Sequence, residues 1–464
     1  MRLLCAGVAL FALVAVHVLA GRAAWADDGS GSAAAGPALV DDPLLAGLVK
    51  EALEKRPEIA LAQAAVQADR ERVPQARALP DPVLSLGIQN DGFARIQIGE
   101  METSYLAIMA SQTFPWYGKR DLRGEAIALG TRQQETDLER TRLTVQAEVE
   151  RAYVDLLLVR DQLVLLAQVE TLWMQTEGMA RVRYEVGDGA QSDILRAQLE
   201  RSRLEQRRWT LEAEERRRVA VLNRLRGHPL DDVVTTSRSL ADIPDPALSE
   251  ATAAFKDAEL RSPELEKWRL AIEKSGKLVE LAEREAYPDV TVSAGLMPRG
   301  GSFPPMWQAG MSFSVPIWRD RKQARALEEN RIRRTASQFG AEATSQLLRQ
   351  RVTERLELLK ALLASNRLYR SGLLVQSEAT VSSTMAQYQV GRVTFAAVLE
   401  ALIGYVADVN AFFDSAAAAQ RVDIAQREVS LASVGGVPSG QMAPAPPAPP
   451  AAAGTAGSES MSRM

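Results

Sequence analysis

Four short segments of the chain alternate apolar and polar residues with a period of two. In Val83–Gln89, Leu84, Leu86 and Ile88 alternate with Ser85, Gly87 and Gln89. In Tyr105–Phe114, Leu106, Ile108, Ala110 and Phe114 share a face with Gln112. In Val290–Leu296, Val290, Val292, Ala294 and Leu296 alternate with Thr291, Ser293 and Gly295. In Trp307–Val315, Trp307, Ala309, Met311, Phe313 and Val315 alternate with Gln308, Gly310, Ser312 and Ser314. Side chains alternate across a strand, so each segment predicts a strand with one apolar and one polar face. Such strands suit a half-buried soluble sheet or the wall of a membrane barrel, where lipid meets the apolar side and water the polar one.

The remaining chain has helical periodicity. Val145, Val149, Ala152, Leu156, Val159, Leu163 and Leu166 recur in alternating steps of four and three, the heptad spacing. Val154, Leu157, Leu158 and Leu165 widen that stripe. A two-stranded coil buries one seam, whereas a helix in a closed cylinder touches neighbours on both sides. Val352, Leu356, Leu359 and Leu363 repeat the pattern. No proline falls between Tyr117 and Tyr184, which predicts one helix spanning about 100 Å at 1.5 Å per residue. A solvent-exposed stalk or adaptor hairpin would carry a similar pattern.

Punctuation residues recur in the same order in both halves. Arg56-Pro57-Glu58-Ile59 and Ser262-Pro263-Glu264-Leu265 each open a helix. Pro80-Asp81-Pro82-Val83 and Tyr287-Pro288-Asp289-Val290 each lead into a strand. Phe114-Pro115-Trp116 and Val315-Pro316-Ile317-Trp318 each leave one. Tyr184-Glu185-Val186-Gly187 and Tyr388-Gln389-Val390-Gly391 each break a long helix. The paired positions stand 206 (57 to 263), 201 (115 to 316) and 204 (184 to 388) residues apart. One unit, read as helix, strand, strand, long helix, turn, helix, occurs twice. The boundaries are a first repeat over 27–229, with its strand pair at 82–114 and hairpin turn at 184–191. A polar linker follows over 230–247, opened by Gly227-His228-Pro229. The second repeat covers 248–434, with strands at 289–316 and a turn at 388–394.

The ends are distinct. Arg2, the apolar run Leu3–Ala20 and the small-x-small pattern Ala24-Trp25-Ala26 predict a cleaved export signal over 1–26. Residues 435–464 are rich in Pro, Ala, Gly and Ser and read as a disordered tail. After the leader no run approaches the roughly 20 apolar residues of a membrane helix, so a membrane crossing would use strands.

Composition narrows the function classes. The net charge of −4 gives no sign of nucleic acid, and 5% aromatics in a chain rich in Ala, Leu, Gln, Glu and Arg favours helix. The single cysteine, Cys5, lies within the leader, placed too early to be a lipidated N-terminal cysteine. The mature chain then has no disulfide, thiolate metal site or cysteine nucleophile. There is no nucleophile–base constellation and no phosphate-binding glycine loop, so the chain reads as a non-enzyme without cofactor or metal site. His228 sits alone in a loop, and Met297, Met306 and Met311 near the second strand pair read as lipid- or loop-facing rather than copper ligands.

The duplicated unit, the Pro-Asp before each strand pair and the two Tyr-x-Val-Gly turns together resemble the TolC-type outer-membrane factors, over the whole mature chain except the tail. Leu79–Gly87 and Phe114–Arg120, with Leu122-Arg123-Gly124-Glu125 after it, are similar to the heavy-metal-efflux branch. The resemblance implies a mainly α fold with a small membrane β part. Long hairpins form a periplasmic tunnel, and four strands per chain join a twelve-stranded barrel in a homotrimer. The linker and chain ends contribute to an equatorial belt. It further implies an outer-membrane exit duct in a tripartite pump or type I secretion system, working with a periplasmic adaptor and an inner-membrane transporter. Cargo would be metal ions, drugs or polypeptides. The alternative is a periplasmic coiled-coil adaptor.

The resemblance also places the gate at the hairpin turns. Asp193 matches an acidic tip position and Glu400 an aspartate of the second repeat. The family's other acid falls on Ala397 and its arginine on Val393, with Arg392 shifted by one. A ring of Glu400 carboxylates, joined by Asp193, would favour cations; a plain solvated charge is the alternative. Tyr184 and Tyr388 are candidates to bond across the closed tip, and Gly187 and Gly391 to supply the positive φ of each turn.

Overall fold

The computed structural model describes residues 38–433. The expected export signal and Pro/Ala-rich tail lie outside those residues.

Two short helices precede the first strand pair: α1 (Pro43–Lys55) and α2 (Pro57–Arg77). Strands β1 (Val83–Gln89) and β2 (Tyr105–Phe114) follow, then the hairpin of α3 (Lys119–Glu185) and α4 (Gln191–Leu225). The second repeat has α5 (Ala251–Arg261), α6 (Pro263–Arg284), β3 (Val290–Met297), β4 (Met306–Phe313), α7 (Gln323–Leu368), α8 (Leu374–Gln389) and α9 (Phe395–Arg427). The unit is therefore one helix richer than expected. Asp42 caps α1 through the amide of Leu44, and Pro43 stands at its first position; Ser262 caps α6 in the same way. Pro57 and Pro263 open their helices as their position predicts, because a first-turn residue needs no N–H partner.

All four strands form one antiparallel sheet in the order β1-β2-β3-β4, so the repeats meet at the β2–β3 pair. The register sets Leu86, Ile108, Leu296 and Trp307 in one row, and Leu84, Ala110, Ala294 and Ala309 in the next. One face is thus apolar from edge to edge. The other carries Val83, Ser111, Ser293 and Gly310 in one row and Ser85, Met109, Gly295 and Gln308 in the next. Met311 lies on the apolar face, while Met297 and Met306 lie opposite. No helix covers either face: Leu84, Leu86, Leu296, Trp307 and Met311 are all exposed in one chain. The bounds of β1 and β2 match the alternation; β3 runs one residue further, to Met297, and β4 begins one residue earlier, at Met306, and stops at Phe313, two residues early, with Pro316 following.

Most of both apolar stripes of α3 is buried. Val149 and Leu156 pack with Val154 and Leu157 in one core, and Leu165 enters a second core nearer the hairpin turns, the widened stripe that neighbours on both sides require. α1, α4, α6 and α9 surround this helix. The 230–247 segment is not merely polar. Val234, Leu240 and Ile243 are buried in the waist core beside Tyr153, and Arg160 donates to the carbonyl of Val234 (2.6 Å). Between α7 and α8 a π-turn spans Tyr369–Leu373, with no counterpart in α3. Asp245, from the linker, accepts from Arg370 (2.9 Å) and Asn366 (2.9 Å) at that turn.

One helix departs from the sequence expectation about apolar runs. α9 is long and apolar enough to cross a membrane by length and composition, with a mean hydropathy of 1.5 over its best window. One side of it packs on the hairpin core, where Phe395, Val398, Leu402 and Phe412 meet Trp173 and Val169 of α3.

Candidate gate at the hairpin tips

The two hairpin turns are built alike. After α3, Gly187 takes φ +85° and the N–H of Asp188 reaches back to the carbonyl of Arg183 (2.9 Å). After α8, Gly391 takes φ +75° and the N–H of Arg392 reaches the carbonyl of Gln387 (2.9 Å). Each is a helix end closed by a left-handed residue, a conformation that a Cβ penalises.

Between the turns the structure brings together residues from both repeats. Tyr388, only 1% exposed, inserts its ring between hairpins. Phe395 meets it edge-on (5.8 Å between centroids, 69°), and the Arg183 guanidinium lies 4.7 Å from the ring centre. The Tyr388 hydroxyl donates to Asp193 Oδ2 at 3.3 Å. Arg183 also donates to the carbonyls of Tyr388 (2.9 Å) and Asp188 (3.0 Å), tying the second turn to the first. Asp193 stands in the first turn of α4, where the helix dipole favours a carboxylate. Burial, then the Asp193 charge, pushes the Tyr388 phenol up to about 12, against the opposing pull of Arg183. The hydroxyl is a permanent donor at neutral pH.

Further from the turns, Glu177 locks α3 to α4. It accepts from Arg201 (2.7 Å) and Gln198 (3.1 Å) and pairs with Arg181 (3.3 Å). The Arg201 and Gln198 hydrogen bonds hold its carboxyl below the ordinary carboxylate range against the opposing effect of burial.

The other candidates stand apart from this cluster. Tyr184 and Arg392 are exposed, and so is Glu400, which makes no ion pair among the described residues. Within one chain the tyrosines do not meet, and Asp193 already has Tyr388 as its partner. Sequence reading missed Arg183, Phe395 and Glu177. Arg183 carries a weak signal as a cation in the last turn of α3. Phe395 and Glu177 carry none, since Phe395 meets Tyr388, and Glu177 meets Gln198 and Arg201, only once the hairpin turns between them have closed.

Comparison with known proteins agrees with this architecture. The family model described as outer membrane efflux protein matches residues 48–228 and 254–411. The solved outer-membrane channel OprN is 18% identical, with 84% of this chain and 91% of that chain covered at a TM-score of 0.68. The outer membrane protein VceC of Vibrio cholerae is 17% identical over 83% and 95% of the two chains, TM-score 0.68. CusC, whose structures concern transmembrane channel formation, is 15% identical over 84% and 92%, TM-score 0.67. Among curated protein sequences no relative matches. With both repeats matched and the linker skipped between them, the chain belongs to the outer membrane efflux protein family, a family of outer-membrane channels with a periplasmic tunnel rather than of enzymes.

Proposed function

We propose that this chain is one subunit of a homotrimeric exit duct that carries substrate passively from the periplasmic side to the exterior. It would be docked through a periplasmic adaptor to an inner-membrane transporter of a tripartite pump or type I secretion system. The carrying observation is the four-stranded sheet with one apolar face, one polar face, no cover on either and two open edges. Four strands cannot enclose a pore, because membrane barrels begin at about eight. Three copies supply twelve, with lipid outside and Ser, Thr, Gly and Gln on the lumen side.

The gate is the tip cluster of Arg183, Tyr388 and Asp193, which closes by tying hairpins together. Glu400, exposed and without an ion pair among the described residues, supplies a ring of three carboxylates that favours cations. Arg392 lies in the turn before α9, eight residues ahead of Glu400. The π-turn at Tyr369–Leu373, clasped by Asp245, marks the second repeat's hairpin as the one that bends, since such turns interrupt regular helix packing. The likeness of Leu79–Gly87 and Phe114–Arg120 to the heavy-metal branch favours metal cations over drugs as cargo. A duct needs no resident ligand set, since tight binding slows passage.

Purified full-length protein in planar bilayers tests the reading. A trimer with stepwise conductance, blocked by multivalent cations and released from block by Glu400→Ala, is expected. A folded trimer without conductance refutes the duct, and unchanged block in Glu400→Ala refutes the carboxylate ring.

A further inference from the structure

The polar face of the sheet carries Ser, Thr, Gly and Gln over much of its length. Toward the end where the strands meet the 90–104 and 298–305 loops, it does not. There Met109, Met297 and Met306 take positions on that face. Met311 differs from them: it lies on the apolar face, opposite Val292.

The register brings the three methionines together. Met297 stands directly opposite Met306. Met109 stands opposite Gly295, which makes it the diagonal neighbour of Met297 on the same face. Opposed residues have Cβ atoms about 4.5–5.5 Å apart and diagonal ones about 7–8 Å, both within reach of long side chains. Gly295 keeps the space between them open. A Cβ there would stand 2.8 Å from Met109 Cγ, so Met109 can lean over β3 only because Gly295 has no side chain. Met297 is 8% exposed and is the only buried residue within the four strands, on a sheet that no helix covers. Met109 and Met306 are half-buried.

Barrel interiors are polar, so hydrophobicity alone gives no reason for three thioethers on the lumen side. Their chemistry gives one. Thioether sulfur is a soft donor that selects soft ions such as Cu(I), whereas carboxylate and carbonyl oxygens suit hard ones. It is also neutral, so it holds an ion without a countercharge and releases it readily, as passage through a pore requires. Among the described residues no group of three His, Cys, Asp or Glu side chains offers another metal site. Arg299, two residues beyond Met297, has its charge balanced by Glu102 (3.3 Å) and donates to the carbonyl of Pro304 (2.8 Å).

We propose that Met109, Met297 and Met306 form a transit site for a soft monovalent cation, Cu(I) or Ag(I), on the lumen wall near the outer mouth. Each subunit holds a complete set of three sulfurs, so a trimer presents three sites. This rests on the duct reading above and names its cation class: Glu400 at the tip attracts cations by charge, and the methionines discriminate among them by softness.

Silver nitrate in chloride-free buffer is the probe, with full-length protein carrying Cys5→Ser so that no thiol competes. The test variant combines Met109→Leu, Met297→Leu and Met306→Leu, which keeps side-chain volume and removes only the sulfur donors. In equilibrium dialysis of the detergent-solubilised protein, it should bind about one Ag(I) per chain fewer than the parent. Met311→Leu, on the lipid side, should lose none. X-ray absorption of the silver-loaded parent should show sulfur neighbours that the triple variant lacks. Undiminished binding in the triple variant, or an equal loss in Met311→Leu, overturns the site. Planar-bilayer conductance separates the two readings. A conducting trimer whose triple variant still binds silver fully overturns the site and leaves the duct. A folded protein that never conducts, yet loses silver in the triple variant, overturns the duct and leaves the methionine site as a binding site only.

Discussion

Replacing Tyr388 with phenylalanine isolates the polar part of the tip latch. The ring, its edge contact with Phe395 and its face toward Arg183 are kept, and only the hydroxyl bond to Asp193 is lost. A hydrogen bond to a charged acceptor contributes about 1.5–3 kcal/mol. At 3.3 Å this one is long for a hydroxyl donor, which argues for the low end, about 1.5 kcal/mol per chain. In the proposed gate, opening would separate α8–α9 from α3–α4 and break the bond, and water would then satisfy Asp193, so the loss would fall on the closed state. If three subunits open together, about 4.5 kcal/mol is lost, roughly a thousandfold in the closed-to-open ratio at about 1.4 kcal/mol per tenfold. Independent opening gives about tenfold per subunit. Open probability of single channels in planar bilayers, read beside the melting temperature, measures it. An unchanged open probability in a normally folded Tyr388→Phe channel refutes the latch. A large drop in melting temperature would instead assign Tyr388 to general packing.

Three further outcomes follow from the same geometry. Leu86→Lys on the apolar face should cost about 2–4 kcal/mol near the bilayer midplane and abolish heat-resistant oligomers, while Ser293→Lys on the opposite face should assemble normally; equal damage from both would refute the assignment of faces. Asp245→Ala frees Arg370 and Asn366 at the π-turn and should raise hydrogen exchange in 366–374 and the open probability, with α3 unaffected. Glu177, its carboxyl held low, contributes stability that is present above the ordinary value of 4.5 and lost as pH falls through its lower folded value. Exchange near 177–201 should therefore rise in acid, and Glu177→Gln should show raised exchange at neutral pH with little further acid response.

Local periodicity carried much of this fold. The bounds of β1 and β2 were fully legible, because alternation and flanking prolines act within a few residues. The glycines of the two turns were legible for the same reason: a positive φ is a property of one residue. α1 and α5 were not, since short helices beside a stronger Pro-marked helix leave little periodic signal of their own. The linker's buried Val234, Leu240 and Ile243 were equally hidden, scattered among polar neighbours and buried only because α3 offers a waist to cover.

The duplication, the strand faces and the conformational glycines were therefore determined by the sequence alone, because each depends on spacing along the chain. The tertiary structure decided which residues meet. Tyr388 finds Asp193 across 195 positions, Arg183 reaches the carbonyl of Tyr388 across 205, and β2 pairs with β3 across the repeat boundary. Neither periodicity nor propensity encodes such partners; they exist only once two long hairpins are packed side by side.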